Sequence, residues 1–139
     1  MRPRTLLGGT IIALAGIVWI SAPATDLNAS PLRRSAVAYL TEPTLIGDTF
    51  VVGPVQITHD DERMARGLPC TEIRLFDPSK NRATDLVASF HCIPRRAIAV
   101  SRLTITTRPS PYGYGCELAS YQFPNDSEVH GVPPRVAAH

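Results

Sequence analysis

From Ser35 onward the chain is cut into short β-type runs by proline, glycine and Asp/Asn turns, and no stretch keeps a helical period beyond two turns. That pattern rules out a helical bundle and predicts five or six short strands. Ser35 to Leu40 opens the series as a weak strand. Thr49 to Thr58 is β-branched and apolar at Phe50, Val51, Val52, Val55 and Ile57, but Pro54 interrupts it. A proline cannot donate to a strand ladder, so this run is expected at a sheet edge or as two pieces. Cys70 to Phe76 alternates, with Ile73 and Leu75 on one face, and Asp77-Pro78-Ser79-Lys80-Asn81 is a turn leading into a partner strand from Leu86 to Cys92. Ala97 to Thr107 is the longest clean run, with its apolar residues changing faces near Ser101-Arg102. Arg108 to Gly115 is a loop, and Cys116 to Phe123 a last strand.

One short helix is expected between Thr58 and Gly67. Thr58 or Asp60 can cap it, Asp60, Asp61 and Glu62 suit the positive end of its dipole, and Gly67 suits its close. The fold class that follows is all-β, a small antiparallel sandwich or partly open barrel with one short helix, preceded by an N-terminal signal peptide.

The leader is read from Arg2 and Arg4, the apolar run Leu6 to Ile20, and the small residues of Ser21-Ala22-Pro23-Ala24. The run is shorter than the roughly 20 residues of a membrane-spanning helix. Cleavage after Ala24 is therefore the first reading, and an uncleaved membrane anchor the alternative. The organisation predicted is a signal peptide at 1–24, a flexible lead-in at 25–34, a β domain at 35–124 and an extended C-terminal tail at 125–139. Location follows as periplasmic or secreted.

Charge narrows the partners. The chain has 14 basic and 12 acidic residues, and losing Arg2 and Arg4 leaves 12 of each sign. With no basic surplus to neutralise phosphates, nucleic acid is excluded as an expected partner. A protein, a glycan or a small molecule remains, and a membrane only if the leader stays attached.

Three cysteines fall in the exported part. If Phe76 pairs with Leu86, then Cys70 faces Cys92, where opposed Cβ atoms lie within disulfide reach after a small adjustment. Such a bridge closes a loop of about 20 residues and stabilises by roughly 3 kcal/mol in the loop-entropy picture. A Cys92–Cys116 bridge and three reduced thiols are the alternatives. The odd cysteine is then a buried small hydrophobe or an intermolecular link.

Four histidines are present. If distant loops converge, His59, His91 and His130 can hold a transition metal, with Asp60, Met64 or a cysteine as a further ligand. No C-x-x-C or H-x-x-x-H spacing supports this locally, so exposed loop histidines are the competing expectation. Catalysis has less support. Ser101 and Ser120 lie in strands without a nucleophile elbow, and Cys116 has no neighbouring histidine. A histidine pair with Glu62 or Glu128 for phosphodiester cleavage would need the positive surplus that is missing. Tyr112 and Tyr114, on a loop beside a sheet, form a candidate contact surface. The leading expectation is a non-catalytic exported domain with a binding or structural role and no cofactor. A metal-binding or redox protein using His59, His91, His130 and a cysteine is the alternative.

Overall fold

The computed structural model describes residues 32–135. The expected leader at 1–24 and most of the lead-in lie outside them. In chain order the elements are β1 (Arg33–Ile46), β2 (Thr49–Asp60), α1 (Asp61–Ala65), β3 (Thr71–Asp77), β4 (Arg82–Phe90), β5 (Ile93–Arg96), β6 (Thr104–Pro109), β7 (Cys116–Gln122) and β8 (Glu128–Gly131). The described residues are thus mostly β with a single short helix, and no helix among them is long and apolar enough to cross a membrane.

All eight strands belong to one sheet, ordered β4-β3-β2-β1-β7-β8-β5, with β6 on the other side of β7. The strand therefore forks: one edge of β7 is taken by β6, while the opposite edge meets β1 at Cys116 and Glu117 and β8 at Ser120 and Tyr121. Pairing is antiparallel except between β1 and β7, which run parallel. A parallel neighbour needs a long crossover, and the chain from β2 to β6 supplies it. β7 is buried along almost its whole length on both faces.

Pro54 does not place β2 at an edge. β2 is continuous and lies between β1 and β3. Its tolerance has a local cause: Leu40 pairs with Gly53 and Thr44 with Val51, so β1 carries extra residues opposite Val52, and pairing with β3 begins only at Val55. Pro54 thus pairs with Tyr39 of β1 near the bulge and lies outside the β3 ladder, so no pairing with β3 depends on its missing N–H.

Two further expectations change. Ala97 to Thr107 is not one strand: residues 97–103 are irregular, and Ile98 is 91% exposed. The switch of apolar face at Ser101-Arg102 marks the end of one segment and the start of another, with Gln122 Nε2 donating to the Ile98 carbonyl at 2.8 Å in place of a ladder. The expected tail after Pro124 contains β8, whose His130 is fully buried. Four residues are too short to show periodicity, and it is pairing with β7 and β5 that makes them a strand.

The core is a cluster of Ala38, Leu40, Ile46, Val51, Val55, Ile57, Ile73, Leu118, Tyr121 and Phe123. On β2 the buried residues Val55, Ile57 and His59 follow the two-residue period of a strand. His59 thus reaches the interior because it continues an apolar face. Immediately after it, Asp60 caps α1 by accepting from the Glu62 and Arg63 amides, and Gly67 ends the segment at φ +70°.

Candidate functional site

The apolar face runs into a polar centre at one end of the sheet. Cys70 lies just before β3 and Cys92 just after β4, at the open end of that hairpin. Pairing there differs from the expected register by one residue: Thr71 faces Phe90 and Ile73 faces Ala88, with irregularities on either side of Arg74. The two cysteines still meet, because both sit beyond the paired segment. Their Sγ atoms are 3.0 Å apart, and the Cys92 amide donates to Cys70 Sγ at 3.3 Å. The two sulfurs are unbonded in this structure, on residues 3% and 9% exposed.

Two imidazoles close over the sulfurs. His59 is the penultimate residue of β2, beside its pair partner Thr71, and His130 on β8 pairs with Tyr121. Their ring centroids are 4.3 Å apart, and Tyr121 stacks on His130 at 4.9 Å with an interplanar angle of 14°. His130 Nδ1 is 3.6 Å from Cys92 Sγ, while Nε2 lies 3.3 Å from Asp126 Oδ2. A carboxylate accepts only from a protonated nitrogen, so Asp126 fixes the tautomer in which Nδ1 turns a lone pair toward the sulfur. Arg34 in turn holds Asp126, spans toward Asp61 at 3.7 Å, and lies over the Phe123 ring. The Tyr121 hydroxyl shares a hydrogen bond with Thr71.

His59 is different. It is fully buried, yet neither ring nitrogen has a hydrogen-bond partner. Asp61 Oδ1 approaches Nδ1 to 3.2 Å, close enough for charge attraction but without hydrogen-bond alignment. An orphaned polar group in the interior normally costs about 1–3 kcal/mol, which makes it unusual in a folded protein. Burial, reinforced by neighbouring His130, lowers the His59 pKa to about 4. Burial lowers that of His130 too, against the Asp126 bond that raises it. Both rings are therefore neutral near pH 7, the form that ligates metals. The Cys92 thiol is pushed up, first by burial and then by Cys70.

Donor atoms of His59, Cys70 and Cys92 all lie within 4.8 Å of one another. Of the three histidines singled out by sequence, His59 and His130 come together, whereas His91 is exposed on the segment between β4 and β5. Asp60 caps α1 and Met64 is on its exposed surface, so neither enters the cluster. Sequence reasoning missed Asp126, Arg34 and Thr71; only the acidic run before His130 carried any signal. Cys116 sits at the far end of β7 from Tyr121, within 3.4 Å of the Thr44 hydroxyl. Tyr112 and Tyr114 are 55% and 61% exposed and meet the Phe50 ring edge-on.

A cavity of about 280 Å³ lies elsewhere, between Leu45, Ala88, Phe90, Leu118 and Val132. Its buried carboxylate, Glu117, is already satisfied by Arg108 Nε at 2.7 Å and the Arg135 amide at 3.1 Å. The His–Cys centre is thus the place where unspent chemistry collects. The chain matches no family model, no curated protein and no solved structure.

Proposed function

We propose that this chain is a non-catalytic exported domain that binds one soft transition-metal ion, zinc or copper(I), through His59, Cys70, Cys92 and His130. The observation that carries the reading is the buried, unpartnered imidazole of His59 beside two thiols whose donor atoms lie within 4.8 Å of its own. Two thiolates and two neutral imidazoles form a donor set that suits a tetrahedral ion. The Asp126–His130 contact is the outer-shell support typical of a ligating histidine. All four donors are buried, leaving no open coordination position for a substrate, and this favours a holding or stabilising role over catalysis. Export rests on the leader at 1–24, with the periplasm or the exterior as destination. The rolled arrangement belongs to the same proposal: a partly open barrel in which the far end of β4 curls toward β7.

The test is elemental analysis of the reduced protein, purified without a chelating tag, together with cobalt substitution. One metal ion per chain and a thiolate-to-cobalt charge-transfer band are expected. A reduced, folded protein that takes up neither zinc nor cobalt would refute the reading.

A second reading has its own observation. Sulfurs 3.0 Å apart are nearer than the about 3.8 Å expected for two thiolates on one tetrahedral ion, so a Cys70–Cys92 disulfide is also within reach. A count of thiols on denatured, unreduced protein gives one for the disulfide and three for the reduced chain.

A further inference from the structure

We propose that metal occupancy and a Cys70–Cys92 disulfide are mutually exclusive states of this one centre, so that it holds zinc only while both thiols are reduced and releases it when they are oxidised. The inference rests on the metal-binding reading above and adds how that site is emptied.

Three observations carry it. First, Cys70 and Cys92 supply both sulfurs of the donor set, and no other described sulfur can replace them. Cys116 is engaged by Thr44 and the Pro43 carbonyl at the other end of β7. Second, both cysteines lie outside the β3–β4 ladder, which begins at Thr71 and Phe90. Their separation can change without breaking a strand hydrogen bond. From 3.0 Å, the sulfurs need to part by under about 1 Å to share a zinc ion, or to close by about 1 Å to bond. Third, Cys70 borders a small cavity of about 10 Å³ whose other walls include Arg33 and Arg63, with Arg33 exposed. Of the two sulfurs, that of Cys70 is the one that borders this cavity.

The oxidant is a low-molecular-weight disulfide. Its S–S bond is attacked by the Cys70 thiolate, giving a mixed disulfide and one free small thiolate. Cys92 then attacks the Cys70 sulfur, forming the internal bond and expelling the second. In total the zinc-bound dithiolate and the small disulfide, with two protons, give the protein disulfide, two small thiols and Zn²⁺. The sulfurs are oxidised, the external disulfide is reduced, and the metal keeps its charge. What remains for Zn²⁺ is two neutral imidazoles, too few to hold it in the presence of a competing indicator.

The experiment titrates zinc-loaded, reduced protein with oxidised glutathione while a chromophoric indicator reads free zinc and a thiol assay reads oxidation. One zinc ion released for each disulfide formed, and rebinding after a reductant is added, is the expected result. A C116S variant should give the same stoichiometry. Zinc retained after the thiols have disappeared overturns the exclusion while leaving the metal site intact. Failure of reduced protein to bind zinc at all overturns both. Loss of coupled release in C116S would assign the oxidation to the wrong pair and overturn the proposal as well.

Discussion

Acid should unfold the metal-free, reduced protein in a window set by its buried imidazoles. His59 is neutral in the folded state, with its pKa lowered to about 4, against an ordinary value of about 6.5 in the unfolded chain. Between those values the unfolded state binds the proton and the folded state does not, so stability rises with pH across the window and falls on acidification. The contribution is fully present above about pH 6.5. It declines by at most about 1.4 kcal/mol per pH unit, which makes a loss of about 2 kcal/mol from His59 on going from pH 8 to pH 5. His130, lowered in the same direction, adds to this. The groups facing His59 pull both ways: His130 and Arg34 lower its pKa, Asp61 and Asp126 raise it. With a urea m-value of about 2 kcal/mol/M, the unfolding midpoint should drop by about 1 M. Far-ultraviolet circular dichroism of urea series at pH 8, 7, 6 and 5, with chelator present, provides the measurement. A His59→Gln variant, whatever its absolute stability, should lose about 2 kcal/mol less over the same range. A wild-type midpoint that stays flat from pH 7 to pH 5, or a variant with an unchanged pH slope, would refute the assignment of a buried neutral His59.

Three other outcomes follow from single contacts. A methyl group at Gly115, which sits at φ +63°, would overlap the Pro43 carbonyl oxygen, so Gly115→Ala should lower stability by roughly 1–3 kcal/mol in thermal melts. Asp60→Ala removes the side chain that accepts two amides at the start of α1 and should cost about 1 kcal/mol by the same assay. Asp126→Asn replaces the carboxylate that orients His130, and competition against a zinc indicator should show affinity weakened by about 10- to 100-fold.

What could be read in advance divides along physical lines. The turn at Asp77 to Asn81 was legible because its signals are local: Asp77 Oδ1 accepts from the Ser79 and Lys80 amides, and Asn81 takes φ +48°. The cap at Asp60 and the close at Gly67 were legible for the same reason. Pro54 misled because its tolerance depends on a bulge in a different strand. The run from Ala97 to Thr107 misled because apolar content alone does not say that Ile98 is solvent-facing. The proximity of Cys70 and Cys92 was readable from the hairpin even though its register was off by one, since the expectation needed only that both lie at the open end. The close approach of His59 and His130 had no sequence signature. It exists because β8 pairs with β7 at Tyr121, a contact between segments that no spacing rule links. His91 precedes Cys92 directly, but the neighbouring position on an extended chain points the other way, and the side chain is exposed.

The fork on β7 has a consequence for how the centre comes into being. β2, the two ends of the β3–β4 hairpin and β8 each bring one part of it, and β8 arrives last along the chain. A polypeptide emerging in order carries both thiols and the first imidazole well before the second ring and its orienting carboxylate exist. The sulfurs of the proposed metal site are therefore made before the second imidazole proposed to bind beside them, open to whatever oxidant the surroundings offer.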